Sequence, residues 1–126
     1  MKISMEVDPK SLKEVDELDE EFRTGTLEGV RKAMFLVEGA AKKRFGTPGN
    51  LRVQSGRLRS SIQVNVNNYR DVVVGAVGSD VVYAPVHELG SRDGRVPPRP
   101  FLRPSIEENI DKINDIITDS INREVK

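Results

Sequence analysis

The sequence predicts an α+β fold: one or more N-terminal helices, an antiparallel β-meander of about three to four strands, and a C-terminal amphipathic helix. Three observations predict it. Apolar residues recur at helical spacing up to Phe45, alternate with polar ones from Ile62, and return to helical spacing after Ser105. With 126 residues the chain fits a single domain, 1–126. It divides into a helical part 8–45, a β region 58–90, an Arg/Pro loop 90–103 and a closing helix 104–124.

The helical part opens with Leu12, Val15, Leu18 and Phe22 at three- and four-residue intervals. Asp8 stands ready as an N-cap and Pro9 at the first helical position. Thr24, Gly25 and Thr26 weaken the pattern and predict a break or kink. The stripe resumes with Val30, Ala33, Met34, Val37, Ala40, Ala41 and Phe45, and Gly46, Pro48, Gly49 and Asn50 end it.

In the β region, Ile62, Val64 and Val66 alternate with Gln63, Asn65 and Asn67, the signature of a strand with one buried face. Asn67 to Asp71 can turn the chain, and Asp71 to Gly78, rich in β-branched residues, can return antiparallel. Gly75 and Gly78 signal a bulge or a close approach by another backbone. A third apolar run, Val81 to Leu89, contains Pro85, which cannot donate to a ladder. It therefore reads as an edge strand or one that gives way to a turn.

From Gly90 to Pro100 there are two Gly, three Pro and three Arg, which reads as a flexible or polyproline-like loop. Ser105 and Glu108 have the spacing of a capping box. Ile106, Ile110, Ile113, Ile117 and Ile121 form the stripe of the closing helix.

Net charge is zero, with 20 basic and 20 acidic residues, but the distribution is bipolar. Met1 to Glu21 holds three Lys against eight Asp or Glu, a balance of −5. Arg31 to Arg59 holds eight basic residues against one acidic, a balance of +7. Ser91 to Arg103 carries four Arg against Asp93, and Pro104 to Lys126 has six acidic residues against three basic. Blocks of opposite sign suit head-to-tail docking of identical subunits as well as a nucleic-acid partner. The absence of cysteine excludes disulfides and thiolate metal sites. No signal peptide and no run approaching the ~20 apolar residues of a membrane span is present, so a soluble product assembled in a cytoplasm is expected.

The residues offer little chemistry. His87 is the only histidine, short of both a nucleophile–base pair and a metal site. The carboxylates of Glu14 to Glu21, Glu107 and Glu108 lie on charged helices, and the glycines match no phosphate-binding fingerprint. A non-enzyme without cofactor or metal is expected. Arg52, Arg57, Arg59, Arg92, Arg95 and Arg99 are the candidate interface residues, since guanidinium groups pair with phosphates or with carboxylates of another subunit. Stacking aromatics, which nucleic-acid modules usually add, are sparse beside them.

Two segments carry a resemblance. The first is Gln54-Ser55-Gly56-Arg57-Leu58-Arg59-Ser60-Ser61-Ile62. The second runs from Tyr83-Ala84-Pro85-Val86-His87-Glu88-Leu89-Gly90 to Pro98-Arg99-Pro100-Phe101-Leu102-Arg103-Pro104. Together they are similar to the HK97 gp10-like family of phage tail-component proteins, with Ser55 where that family more often has Thr. The resemblance implies a non-enzymatic structural component of a virion's head–tail junction. Identical subunits would form a hexameric ring at the top of the tail, joining head-completion proteins to the tail terminator or tail tube, with DNA passing through the channel and touching it non-specifically. A tail terminator, a minor tail protein or a small basic-loop nucleic-acid-binding adaptor are the alternatives, and no membrane is involved. The matching positions would be Gly56, Leu58, Ile62, Tyr83, Ala84, Glu88, Gly90, Pro100, Phe101, Leu102 and Pro104. Gly56 would supply a special backbone conformation, Glu88 and Arg99 would pair, and Phe101 and Leu102 would anchor the proline segment.

Overall fold

The β-branched run Val73–Gly78 (β3) forms the centre of a three-stranded antiparallel sheet, with Gln63–Asn68 (β2) on one side and Lys2–Val7 (β1) on the other. The structure, a computed structural model, describes residues 1–8, 20–45, 56–69 and 72–124. Its helices are α1 (Glu20–Lys43), α2 (Gly56–Ser60), α3 (Ala84–Leu89), α4 (Arg103–Glu107) and α5 (Ile110–Glu124). The fold is α+β, as the sequence predicts. The registers pair Ile3 with Val77, Met5 with Gly75 and Val7 with Val73, and Val64 with Val77 and Val66 with Gly75. Strand alternation therefore gathers these apolar residues on one face and leaves Lys2, Ser4, Glu6, Gln63, Asn65 and Asn67 exposed on the other.

Helix α1 covers the apolar face. Val30, Ala33, Met34, Val37 and Ala41 are buried, one stripe at helical spacing. Gly75 makes room for it: a Cβ there would lie 2.6 Å from the Met34 sulfur. At Gly78 the close approach is by backbone, the Met1 carbonyl and Lys2. Helix α5 lies along α1 and buries Ile113, Ile117, Ser120 and Ile121.

Several elements differ from the sequence-based expectation. The third strand is the N-terminal Lys2–Val7, not Val81 to Leu89. The latter run becomes a turn and then α3, because Pro85 falls in the first helical turn, where its missing N–H is not needed. Helix α1 runs through Thr24, Gly25 and Thr26 without a break. A Cβ on Gly25 would come within 2.6 Å of the Ile121 Cα, and one on Gly29 within 2.7 Å of the Ile117 Cα, so the small residues admit α5. The buried Thr26 hydroxyl donates to the Phe22 carbonyl at 2.9 Å. The closing helix is two pieces. Ser105 is no N-cap but lies inside α4, its hydroxyl donating to the Leu102 carbonyl. The positions Leu12, Val15, Leu18, Gly46, Gly49 and Arg52 fall outside the described residues.

Candidate functional site

The second motif segment folds back on itself around Glu88. Proline in the first turn starts α3 after Tyr83, and the four-residue spacing of Ala84 and Glu88 turns both inward, where they are buried. Gly90 ends the helix: its N–H reaches the Val86 carbonyl at 2.8 Å, with φ +82° and ψ 170°. Side-chain-bearing residues avoid that region, so glycine is required here.

The chain then makes a compact turn. Ser91 N–H donates to the Val96 carbonyl at 3.0 Å, and the Ser91 hydroxyl accepts from Val96 N–H at 2.9 Å while donating to the Asp93 carboxylate at 2.7 Å. Asp93 also accepts from Arg95 N–H at 3.0 Å. The Ser91 hydroxyl, followed by the Arg95 amide, holds the Asp93 carboxyl below its usual range. The tip is thus a hydrogen-bonded turn, and the polyproline-like expectation is corrected for Ser91 to Val96.

The returning segment is clamped twice. Arg99 N–H donates to the His87 carbonyl at 2.7 Å. The Glu88 carboxylate, 3% exposed, accepts Phe101 N–H at 3.0 Å and Leu102 N–H at 2.8 Å through one oxygen, and Arg103 N–H at 3.2 Å through the other. Glu88 therefore fixes the loop through backbone donors and not through the expected ion pair with Arg99, whose side chain stays exposed. Three charge-assisted bonds satisfy a buried carboxylate that one exposed guanidinium would leave largely unpaired. Phe101 and Leu102 are fully buried, as expected of anchors, and the Phe45 ring meets Phe101 edge-on at 5.6 Å. Arg44 closes the base, donating to the Pro100 carbonyl at 3.1 Å and to Glu108 at 3.1 Å. Pro104 opens α4.

The first motif segment lies elsewhere. Leu58 and Ile62 are buried, while Arg57 and Arg59 are exposed. Gly56 starts α2 without the special backbone conformation expected of it. Among the described residues only Gly90 and Gly94 have positive φ. A 2.6 Å hydrogen bond between the Ser61 and Ser79 hydroxyls ties α2 to the end of β3.

What the clamp presents outward is apolar and cationic. Val82 is 94% exposed and Leu89 62%, with Val86, Val96 and Tyr83 also exposed. The arginines Arg92, Arg95 and Arg99 border this ridge. Among the described residues Arg57, Arg59, Arg92 and Arg99 form no ion pair, and Arg95 meets only Asp93 at 3.6 Å. His87 lies against the Tyr83 ring, centroids 5.7 Å apart. Its pKa is lowered, first by burial and then by the Arg99 charge. The ridge was missed in the sequence because the run was read with a strand's period. Read as a helix from Ala84, Val86 and Leu89 share a face turned away from Ala84 and Glu88, with Val82 in the turn before it. Arg44 was missed because its partners are 56 and 64 residues away.

Among the described residues no three His, Asp or Glu side chains are grouped to hold a metal ion, and no helix is long and apolar enough to cross a membrane. No family model, curated protein or solved structure matches the chain.

Proposed function

We propose that this protein is a non-enzymatic structural component of a tailed-phage or prophage head–tail junction, acting as one subunit of a ring at the top of the tail. The observation that carries the reading is the Glu88 clamp. The two halves of the second motif segment, Tyr83–Gly90 and Pro98–Pro104, meet at one buried carboxylate that takes three backbone N–H groups. The segment thus builds a hydrogen-bonded platform whose outward side is apolar and arginine-rich, a surface suited to contact with another protein. Its mechanism would be geometric: subunits associate, cap the tail and offer a face to the head-completion layer, while DNA passes through the channel.

Light scattering across a concentration series, at low and moderate salt, tests this. A closed ring, or a monomer that rises to one, is the expected result, and particle imaging should then find it in the virion neck. A strict monomer at every concentration overturns self-association as the basis of the ring. The exposure of Arg57, Arg59, Arg92 and Arg99 favours a second reading, a nucleic-acid-binding adaptor. That reading requires the monomer to bind duplex DNA with an affinity that falls steeply with salt.

A further inference from the structure

Phe35 stands on the solvent side of α1, 69% exposed, while the other three phenylalanines, Phe22, Phe45 and Phe101, are buried. Its neighbours on that side are charged. Glu28 and Lys42 lie seven residues before and after it, close to two turns, so the three side chains form one line along the helix. Arg31 and Glu38 flank that line on one edge, Lys32 and Gly39 on the other. Two ion pairs bracket the ring, Arg31 to Glu28 at 2.7 Å and Lys42 to Glu38 at 3.0 Å, and their side chains stay between 25% and 52% exposed. One turn after Phe35, a Cβ on Gly39 would meet no atom within 4 Å, which leaves a notch beside the ring.

We infer that Phe35 is the centre of a two-fold contact in which α1 of one copy packs antiparallel against α1 of a second copy. The order of the charges selects that partner. Across a two-fold axis at Phe35, Glu28 meets the partner's Lys42 and Arg31 meets the partner's Glu38, each pair twice. The Glu28–Arg31 pair of one copy thus faces the Lys42–Glu38 pair of the other, a square of alternating sign. A parallel arrangement would set Glu28 on Glu28 and Lys42 on Lys42, and like-charge repulsion excludes it. Each Phe35 ring leaves water beside the partner's ring and over the partner's Gly39, where the missing side chain lets the helices approach. An isologous contact uses one patch on both copies and closes at two. It lies apart from the Glu88 clamp and does not depend on the ring reading: free subunits pair, and where rings form the contact joins one ring to another.

The absence of cysteine makes cross-linking unambiguous. On mild oxidation Phe35→Cys should give a covalent dimer, and Asn65→Cys, exposed on the far face of the sheet, should give much less. Sedimentation equilibrium reads the non-covalent contact. Phe35→Asp should weaken dimerisation by about 100-fold or more. An acidic stripe, made by Arg31→Glu with Lys42→Glu, and a basic one, made by Glu28→Lys with Glu38→Lys, should each stay monomeric alone, because every facing pair becomes like-charged. Mixed in equal amounts they should form a heterodimer at least as tight as the wild-type dimer, which misfolded chains could not do. A wild-type dimer untouched by these changes, with no excess of Phe35→Cys dimer over the control, overturns the contact. So does a wild type that shows neither a dimer nor a Phe35→Cys cross-link. Closed rings that persist in Phe35→Asp while the two-fold pairing is lost support the contact and leave the ring reading standing.

Discussion

Replacing Glu88 with alanine should remove the clamp that holds the Arg/Pro segment against the domain. The side chain is 3% exposed and accepts three backbone N–H groups, two of them fully buried at Phe101 and Leu102. Losing the acceptor leaves those two donors without partners, at roughly 1–3 kcal/mol each. The third, at Arg103, is partly buried and can turn to water. The total for Glu88→Ala is about 3–5 kcal/mol, a large share of a small domain's stability. Glu88→Gln keeps an oxygen for Phe101 and Leu102 but turns an NH2 toward Arg103 N–H, and it replaces charge-assisted bonds with neutral ones. Its loss should be about 1–2 kcal/mol. Urea unfolding at a protein concentration where the chain is monomeric measures both values. Hydrogen exchange at Phe101 and Leu102 localises the effect, since their amides should lose protection before those of β3. An alanine variant within about 0.5 kcal/mol of wild type, with those two amides still protected, would show that the clamp contributes little and that burial of the two side chains alone holds the segment.

Three further outcomes are expected. Gly25→Ala and Gly29→Ala should each destabilise by about 1–3 kcal/mol, because the added methyl meets α5 backbone at 2.6 and 2.7 Å. Gly39→Ala, with open space around it, should instead stabilise by about 0.5–1 kcal/mol, and chemical denaturation of the three variants separates packing from helix propensity. Gly90→Ala should cost about 1–3 kcal/mol through its φ of +82°, read as a fall in the urea midpoint with an unchanged slope. His87 should titrate below 6.5 in an NMR series, and Arg99→Ala should raise its midpoint only part of the way, because burial is the larger cause. A folded-state pKa below the unfolded value means the unfolded chain takes up the proton first. Stability should then be unaffected by His87 above 6.5 and fall as pH drops from there through the lowered pKa.

Much of this architecture was legible because local pattern and burial agree. The stripe Val30, Ala33, Met34, Val37 and Ala41 could only be a helix with one buried face. The alternation Val64 and Val66 against Asn65 and Asn67 could only be a strand with one. Phe101 and Leu102 were expected to anchor the proline segment only from the family resemblance, and both are fully buried. What the sequence alone left open were the choices made by contacts distant along the chain. Lys2–Val7 is a strand because β3 offers it a free edge, and its own period-two pattern gains meaning only against Val73, Gly75 and Val77. Gly25 and Thr26 continue α1 where propensity suggests a break, because α5 fits against the missing side chains. Glu88 takes backbone N–H groups 13 to 15 residues away in place of the guanidinium expected nearby. A buried carboxylate goes to whichever donors the fold brings within hydrogen-bonding distance, and that distance is set by the packing of Phe101 and Leu102, not by spacing along the chain.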